Sequence, residues 1–104
     1  GIIEEITAIV NPQKVGKEEI SFIILEVEPT ELGKVLSKLK EMPEAKFVCE
    51  TAGKENVLIM VFSENRATLK EFIDRKISTL PSTKIVQILT VINFEKKDLK
   101  VVLG

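Results

Sequence analysis

Met42-Pro43-Glu44-Ala45-Lys46-Phe47-Val48 and Leu80-Pro81-Ser82-Thr83-Lys84-Ile85-Val86 are two versions of one short phrase. In each, an apolar residue and a proline lead through a small turn to a lysine and a β-prone pair. Proline cannot continue a helix, and it biases the residue before it toward extended backbone. Each copy therefore marks the point where a helix gives way to a strand. The shift that carries Pro43 to Pro81 also carries Val35 to Ile73 and Leu39 to Ile77, apolar pairs one helical turn apart. The repeat thus includes the helix as well as the strand that follows it.

Outward from the first copy, Leu32, Val35, Leu36 and Leu39 follow at helical spacing, with Thr30 as the expected N-cap. Before them Ile20–Val27 is β-branched and aromatic, and Pro29 bounds it, which predicts a strand. Outward from the second copy, Ser63 or Asn65 caps a helix bearing Leu69, Phe72, Ile73 and Ile77, preceded by a strand over Val57–Phe62. Phe47–Thr51 and Ile85–Phe94 are the strands after each helix, and Gly53 lies in a hairpin link between Thr51 and Val57. Two β-α-β units in tandem give β-α-β-β-α-β. This is an α+β, ferredoxin-like sandwich with a four-stranded antiparallel sheet and both helices on one face. Ile6–Val10, closed by Asn11-Pro12, reads as a short approach strand, so the expected division is 1–17 approach strand and linker, then 18–104 domain. A solenoid is excluded, because there are two copies only and each contains strands.

The strands also carry a message about assembly. A sheet covered on one side only should alternate apolar with polar residues. Here Ile20, Phe22 and Ile24 oppose Ile23, Leu25 and Val27, and Val57, Ile59 and Val61 oppose Leu58, Met60 and Phe62. On the last strand, parity sets Ile85, Leu89 and Val91 against Val86, Ile88 and Ile92. Leaving such a side chain wet forfeits about 1.5–3 kcal/mol, so a second chain is expected over the open face.

With 104 residues, 44% hydrophobic and 30% charged, the chain has the composition of one globular domain. Its apolar runs are far shorter than the roughly 18 residues a membrane helix requires, so a soluble, cytoplasmic protein without membrane partners is expected. A net charge of −1 and two arginines, Arg66 and Arg75, provide no broad basic field for nucleic acid. The Lys- and Glu-rich charge set is of a kind often found in thermophiles. The chain opens on Gly1 rather than Met, as an excised or processed domain would.

Histidine is absent and Cys49 is the sole cysteine, which excludes intrachain disulfides, His/Cys zinc sites, and Ser-His-Asp or Cys-His catalysis within one chain. No Walker A or G-x-G-x-x-G motif occurs. Neither a catalytic residue, a metal site nor a cofactor is therefore assigned. Cys49 reads as a small buried hydrophobe, and Glu71, Asp74 and the pairs Glu4/Glu5 and Glu18/Glu19 as solvated side chains. Lys96, Lys97 and Lys100 read as a solubilising tail. The remaining candidate is the hairpin Glu50–Asn56, whose backbone N–H groups and short polar side chains suit a small carboxylate or ammonium ligand.

At this hairpin the sequence resembles the C-terminal effector (RAM) domain of the Lrp/AsnC transcription regulators, and the likeness extends over nearly the whole chain. It is carried by the approach segment Ile6–Gly16, the proline at each helix end, and a Thr-Gly-x-aromatic-Asp pattern matched by Ala52, Gly53, Lys54, Glu55 and Asn56. Glu55 replaces the aromatic and Asn56 the acid; Val86-Gln87-Ile88 stands where many relatives have Thr-x-Thr. The resemblance implies an amino-acid-sensing and oligomerisation domain. Its sheets pack face to face as a dimer, dimers associate further, often to octamers, and the effector binds near Thr51, Ala52, Gly53 and Asn56. Loss of the acid at Asn56 implies weak or altered binding unless Glu50, Glu55 or a neighbouring chain restores the charge, with glutamine as one candidate effector. DNA would be read by a preceding helix-turn-helix, and the residues ahead of Ile6 are too few for one. The alternatives are an ACT-like sensor attached to a metabolic enzyme, which lacks such an approach segment, and an acylphosphatase-like enzyme, which needs an arginine in a Gly-rich anion loop.

Overall fold

Nine β-prone residues, Glu19–Val27, form β1 before Glu28-Pro29 turns the chain. The computed structural model describes residues 18–95. A 3₁₀ turn, Pro29–Glu31, leads into α1 (Leu32–Lys40), followed by β2 (Ala45–Glu50) and β3 (Val57–Ser63). Then come α2 (Arg66–Phe72), which runs on as a π-helical turn over Ile73–Ile77, and β4 (Thr83–Thr90). The strands pair antiparallel in the order β2-β3-β1-β4, the ferredoxin-like arrangement. The approach strand expected over Ile6–Val10 and the apolar Val101–Leu103 lie outside the described residues.

Local chemistry accounts for the element ends. Asn65 caps α2, its Oδ1 accepting from the Thr68 backbone N–H at 2.9 Å, while Ser63 stays in β3. Thr30 does not cap α1. It is taken up in the 3₁₀ turn that Pro29 starts, and α1 begins without a side-chain cap. In the π-helical turn the Ser78 N–H reaches back to the Ile73 carbonyl at 2.8 Å, and both Ile73 and Ile77 remain buried. β4 ends at Thr90 rather than Phe94, although Val91 N–H still donates to the Ile20 carbonyl at 2.8 Å.

The core lies between the helices and one sheet face. Ile23, Leu25, Val57, Ile59 and Val61 are fully buried there against Val35 and Leu39 of α1 and Leu69, Phe72, Ile73 and Ile77 of the second helix. The tandem copies agree at this level, since the shift taking Pro43 to Pro81 also takes Ile23 to Val61 and Met42 to Leu80, all packed in or against this cluster. Phe22 and Met60, equivalent under the same shift, are cross-strand partners on the opposite face.

Two bulges correct the parity reading. Between Ile24 and Leu25 the β1–β4 register slips, so that Ile88 pairs with Ile23 while Ile85 pairs with Leu25. Val86 is the extra residue. Ile85 and Ile88 therefore share the helix-covered face and Leu89 pairs with Phe22 on the other, because one inserted residue reverses the alternation beyond it. A second slip, between Ala45 and Phe47, puts Phe47 and Cys49 opposite Met60 and Leu58 on the open face. Cys49 is accordingly exposed, not buried, because it sits on an edge strand and points away from the helices. Glu19 also departs from its solvated reading. It shares the covered face with Ser21, and its Oε2, like Oγ of its cross-strand partner Ser63, is buried without a hydrogen-bond partner.

Candidate functional site

The Glu50–Asn56 link is held by its own polar groups. Thr51 N–H donates to the Asn56 carbonyl at 2.8 Å and Thr51 Oγ1 donates to the Glu55 carbonyl at 2.8 Å. Gly53 has φ +122°, in the region L side chains rarely enter, while a Cβ added there would meet nothing within 4 Å. Glycine is required by the turn's dihedral and not by crowding.

Asn56 ties this hairpin to the end of β1. Its Oδ1 accepts from Val27 N–H at 2.9 Å, its Nδ2 donates to the Val27 carbonyl at 2.8 Å, and its own N–H donates to the Leu25 carbonyl at 3.1 Å. The side-chain amide acts as one more rung of the β1–β3 ladder, satisfying a backbone pair left open where β3 begins.

Facing the hairpin is the turn between the second helix and β4. Ser82 adopts φ +50°, an uncommon backbone state for a residue with a side chain, and its carbonyl accepts from Glu28 N–H at 3.1 Å. The hairpin, the end of β1 and this turn enclose an open cleft of about 540 Å³, lined by Glu26, Val27, Glu28, Pro29, Gly53, Lys54, Asn56, Ser82, Thr83 and Lys84. Two acidic and two basic residues thus line one concave surface.

Gly53 and Asn56, expected in the site, line this cleft, and Thr51 and Ala52 lie in the same loop but not in its lining. Glu50 and Glu55 do not line it either. The sequence reading missed Glu26, Glu28, Thr83 and Lys84. The repeated Pro-containing phrase was the available signal for the last two, because it places a turn beside them. Elsewhere, Phe22, Phe47, Cys49, Leu58 and Met60 line an apolar hollow of about 230 Å³ on the open sheet face. A third concavity, about 380 Å³, runs between α2 and β4 past Arg66, Lys70 and Asp74.

Among the described residues no cluster of His, Cys, Asp or Glu is suited to a metal ion, and no helix is long and apolar enough to cross a membrane. The Glu44 carboxyl has a perturbed ionisation. Burial pushes its pKa up, but hydrogen bonds from Lys76 and its own backbone N–H, with the charges of Lys76 and Lys46, hold it below the ordinary value. It lies at the α1–β2 turn, outside the cleft lining.

Residues 17–103 match the family described as the PF0864 C-terminal dimeric alpha+beta barrel domain, of the AsnC transcription-regulator type. The HTH-type transcriptional regulator FL11 of Pyrococcus furiosus is 34% identical over 74 residues, which cover 71% of this chain and 49% of that protein. Against curated relatives of this kind the chain spans between about half and two thirds of their length. Among solved structures, the transcriptional regulatory protein PF0864 of P. furiosus superposes with TM-score 0.67 at 26% identity, covering 77% of this chain and 55% of that one. The feast or famine regulatory protein Rv3291c of M. tuberculosis, complexed with L-methionine, has the same fold, with TM-score 0.69 at 20% identity over 86% of this chain and 60% of that one.

Proposed function

This chain belongs to the Lrp/AsnC family of transcription regulators through their C-terminal domain, and on that premise we propose that it senses an amino-acid effector and holds regulator subunits together. The observation that carries the reading is the mixed-charge cleft beside Gly53. A free amino acid presents a carboxylate and an ammonium a few ångströms apart, and a ligand site is a concavity with a few convergent polar groups. Lys54 and the backbone N–H groups of the Gly53 turn suit the carboxylate, and acids at and just beyond the end of β1 line the same cleft. The M. tuberculosis regulator complexed with L-methionine supports an amino acid as the ligand class. The function is binding and assembly, not catalysis, and it is exercised in the cytoplasm. DNA recognition belongs to a helix-turn-helix elsewhere in the regulator.

Assembly uses the open sheet face. Phe22, Ile24, Phe47, Leu58 and Met60 are half-buried there with no helix among the described residues above them, a surface that a second copy of the same face would cover. Further association of these dimers, up to an octamer, completes the assembly.

Titration calorimetry of the chain against the twenty common amino acids tests the effector reading. Gly53→Val is the control, since a β-branched residue is strained at φ +122° and distorts the hairpin. Saturable binding that is lost in Gly53→Val is expected. Binding unchanged in that variant would place the site elsewhere, and no binding would leave an assembly domain only.

A further inference from the structure

An amino acid bound at the hairpin requires a carboxylate for its ammonium, and the hairpin itself has none in position. Glu50 and Glu55 are absent from the cleft lining, and Asn56 is bound through both ends of its amide to the Val27 main chain. The acids that line the cleft come from β1 and the residue after it, Glu26 and Glu28.

These two are not equivalent. Glu26 is the cross-strand partner of Lys84 in the β1–β4 register, so the two side chains leave neighbouring strands from opposite positions, although they do not close an ion pair. Glu28, like Glu26, forms no ion pair with another described residue, but it lies one residue beyond that ladder, has no lysine opposite it there, and is the more exposed of the two. Its backbone is nevertheless fixed. The Glu28 N–H donates to the Ser82 carbonyl at 3.1 Å, and its own carbonyl accepts from Glu31 N–H at 2.9 Å. An unneutralised carboxylate on a held backbone, in the same cleft as Lys54, has the placement an ammonium ligand needs.

We propose that Glu28 binds the α-ammonium of the effector, a binding residue supplied by the strand end and not by the hairpin. This rests on the cleft being the effector site. As cross-strand neighbours Glu26 and Lys84 balance each other in net charge, and the pair left for the ligand is Glu28 and Lys54, which matches one zwitterion. The cleft therefore favours amino acids with uncharged side chains.

The test is titration calorimetry of the full chain and its Glu28→Gln and Glu26→Gln variants, with the twenty L-amino acids and the N-acetyl derivative of the tightest binder. Glu28→Gln should weaken that amino acid about tenfold, the difference between a charged and a neutral hydrogen bond, and leave the N-acetyl derivative unchanged. Glu26→Gln should have the smaller effect. Binding to wild type that Glu28→Gln leaves intact, or that Glu26→Gln weakens more, overturns the assignment while the effector reading stands. Absence of any binding to wild type overturns both. Matching circular dichroism spectra establish that the exposed substitutions leave the fold in place.

Discussion

The two faces of the sheet are built from equally apolar residues and have opposite fates. On one, Ile23, Leu25, Val57, Ile59 and Val61 are sealed under two helices at zero exposure. On the other, Phe22, Leu58 and Met60 alternate with them along the same strands and form an open apolar hollow. Adjacent residues on one strand therefore serve different ends, the first set folding the chain and the second forming the surface proposed to join it to another. Hydrophobicity alone does not separate the two roles; which face meets a helix does.

The comparison breaks most visibly at Ile59 and Met60, which are neighbours in sequence. Ile59→Ala should destabilise the domain by about 2–5 kcal/mol, because it leaves a cavity under both helices, and chemical denaturation will show the midpoint fall. A loss well under 1 kcal/mol would mean that the covered face is not the folding core.

Met60→Lys should leave the denaturation midpoint of the isolated fold nearly unchanged and separate the subunits. An unpaired charge enclosed between two sheet faces costs about 3–5 kcal/mol, a hundredfold or more in the dimer constant. Sedimentation mass halving at micromolar concentration is the expected result. A wild-type protein that already sediments as one chain would remove the proposed role of this face.

Cys49 sharpens the same contrast. It belongs to the open face, so its thiol should react slowly with a thiol reagent in the assembled wild type and at least about tenfold faster in Met60→Lys. Equal rates would place the subunit contact away from β2.

The smallest effect concerns the ion pair that links the β2 turn to the second helix, Glu44 to Lys76 at 3.0 Å. Both partners are partly exposed, so Glu44→Gln should cost only about 0.2–1 kcal/mol. Because the folded-state pKa of Glu44 is lowered, its contribution is present above the ordinary carboxylate range and is lost as pH falls through the folded value. Wild type and Glu44→Gln should therefore converge in stability in acid, and a gap that persists there would assign the effect to packing.

Much of this was legible in the sequence for a local reason. Pro43 and Pro81 end helices whatever surrounds them, Asn65 offers an N-cap acceptor, and the apolar spacing of Leu69, Phe72, Ile73 and Ile77 is that of a helix with one buried face. Period-two apolar residues on both sides of β1 and β3 likewise announced two apolar faces, and Gly53 marked the hairpin that its positive φ shapes. These are properties of short segments, set by backbone sterics and side-chain chemistry within a few residues.

Tertiary structure decided what depends on register. That Ile23 and not Phe22 faces the helices follows from pairing, and the bulge at Val86 placed Ile85 and Ile88 together against the parity of the strand. Cys49 became exposed because β2 lies at the sheet edge, which no feature of Phe47–Glu50 records. The cleft is the fullest case. Glu28, Gly53 and Lys84 come from segments far apart in the chain, and they meet because Asn56 is bonded to Val27 while Ser82 receives the Glu28 N–H. A linear pattern specifies what each segment prefers, but the side chains that share a cavity are set by hydrogen bonds between segments.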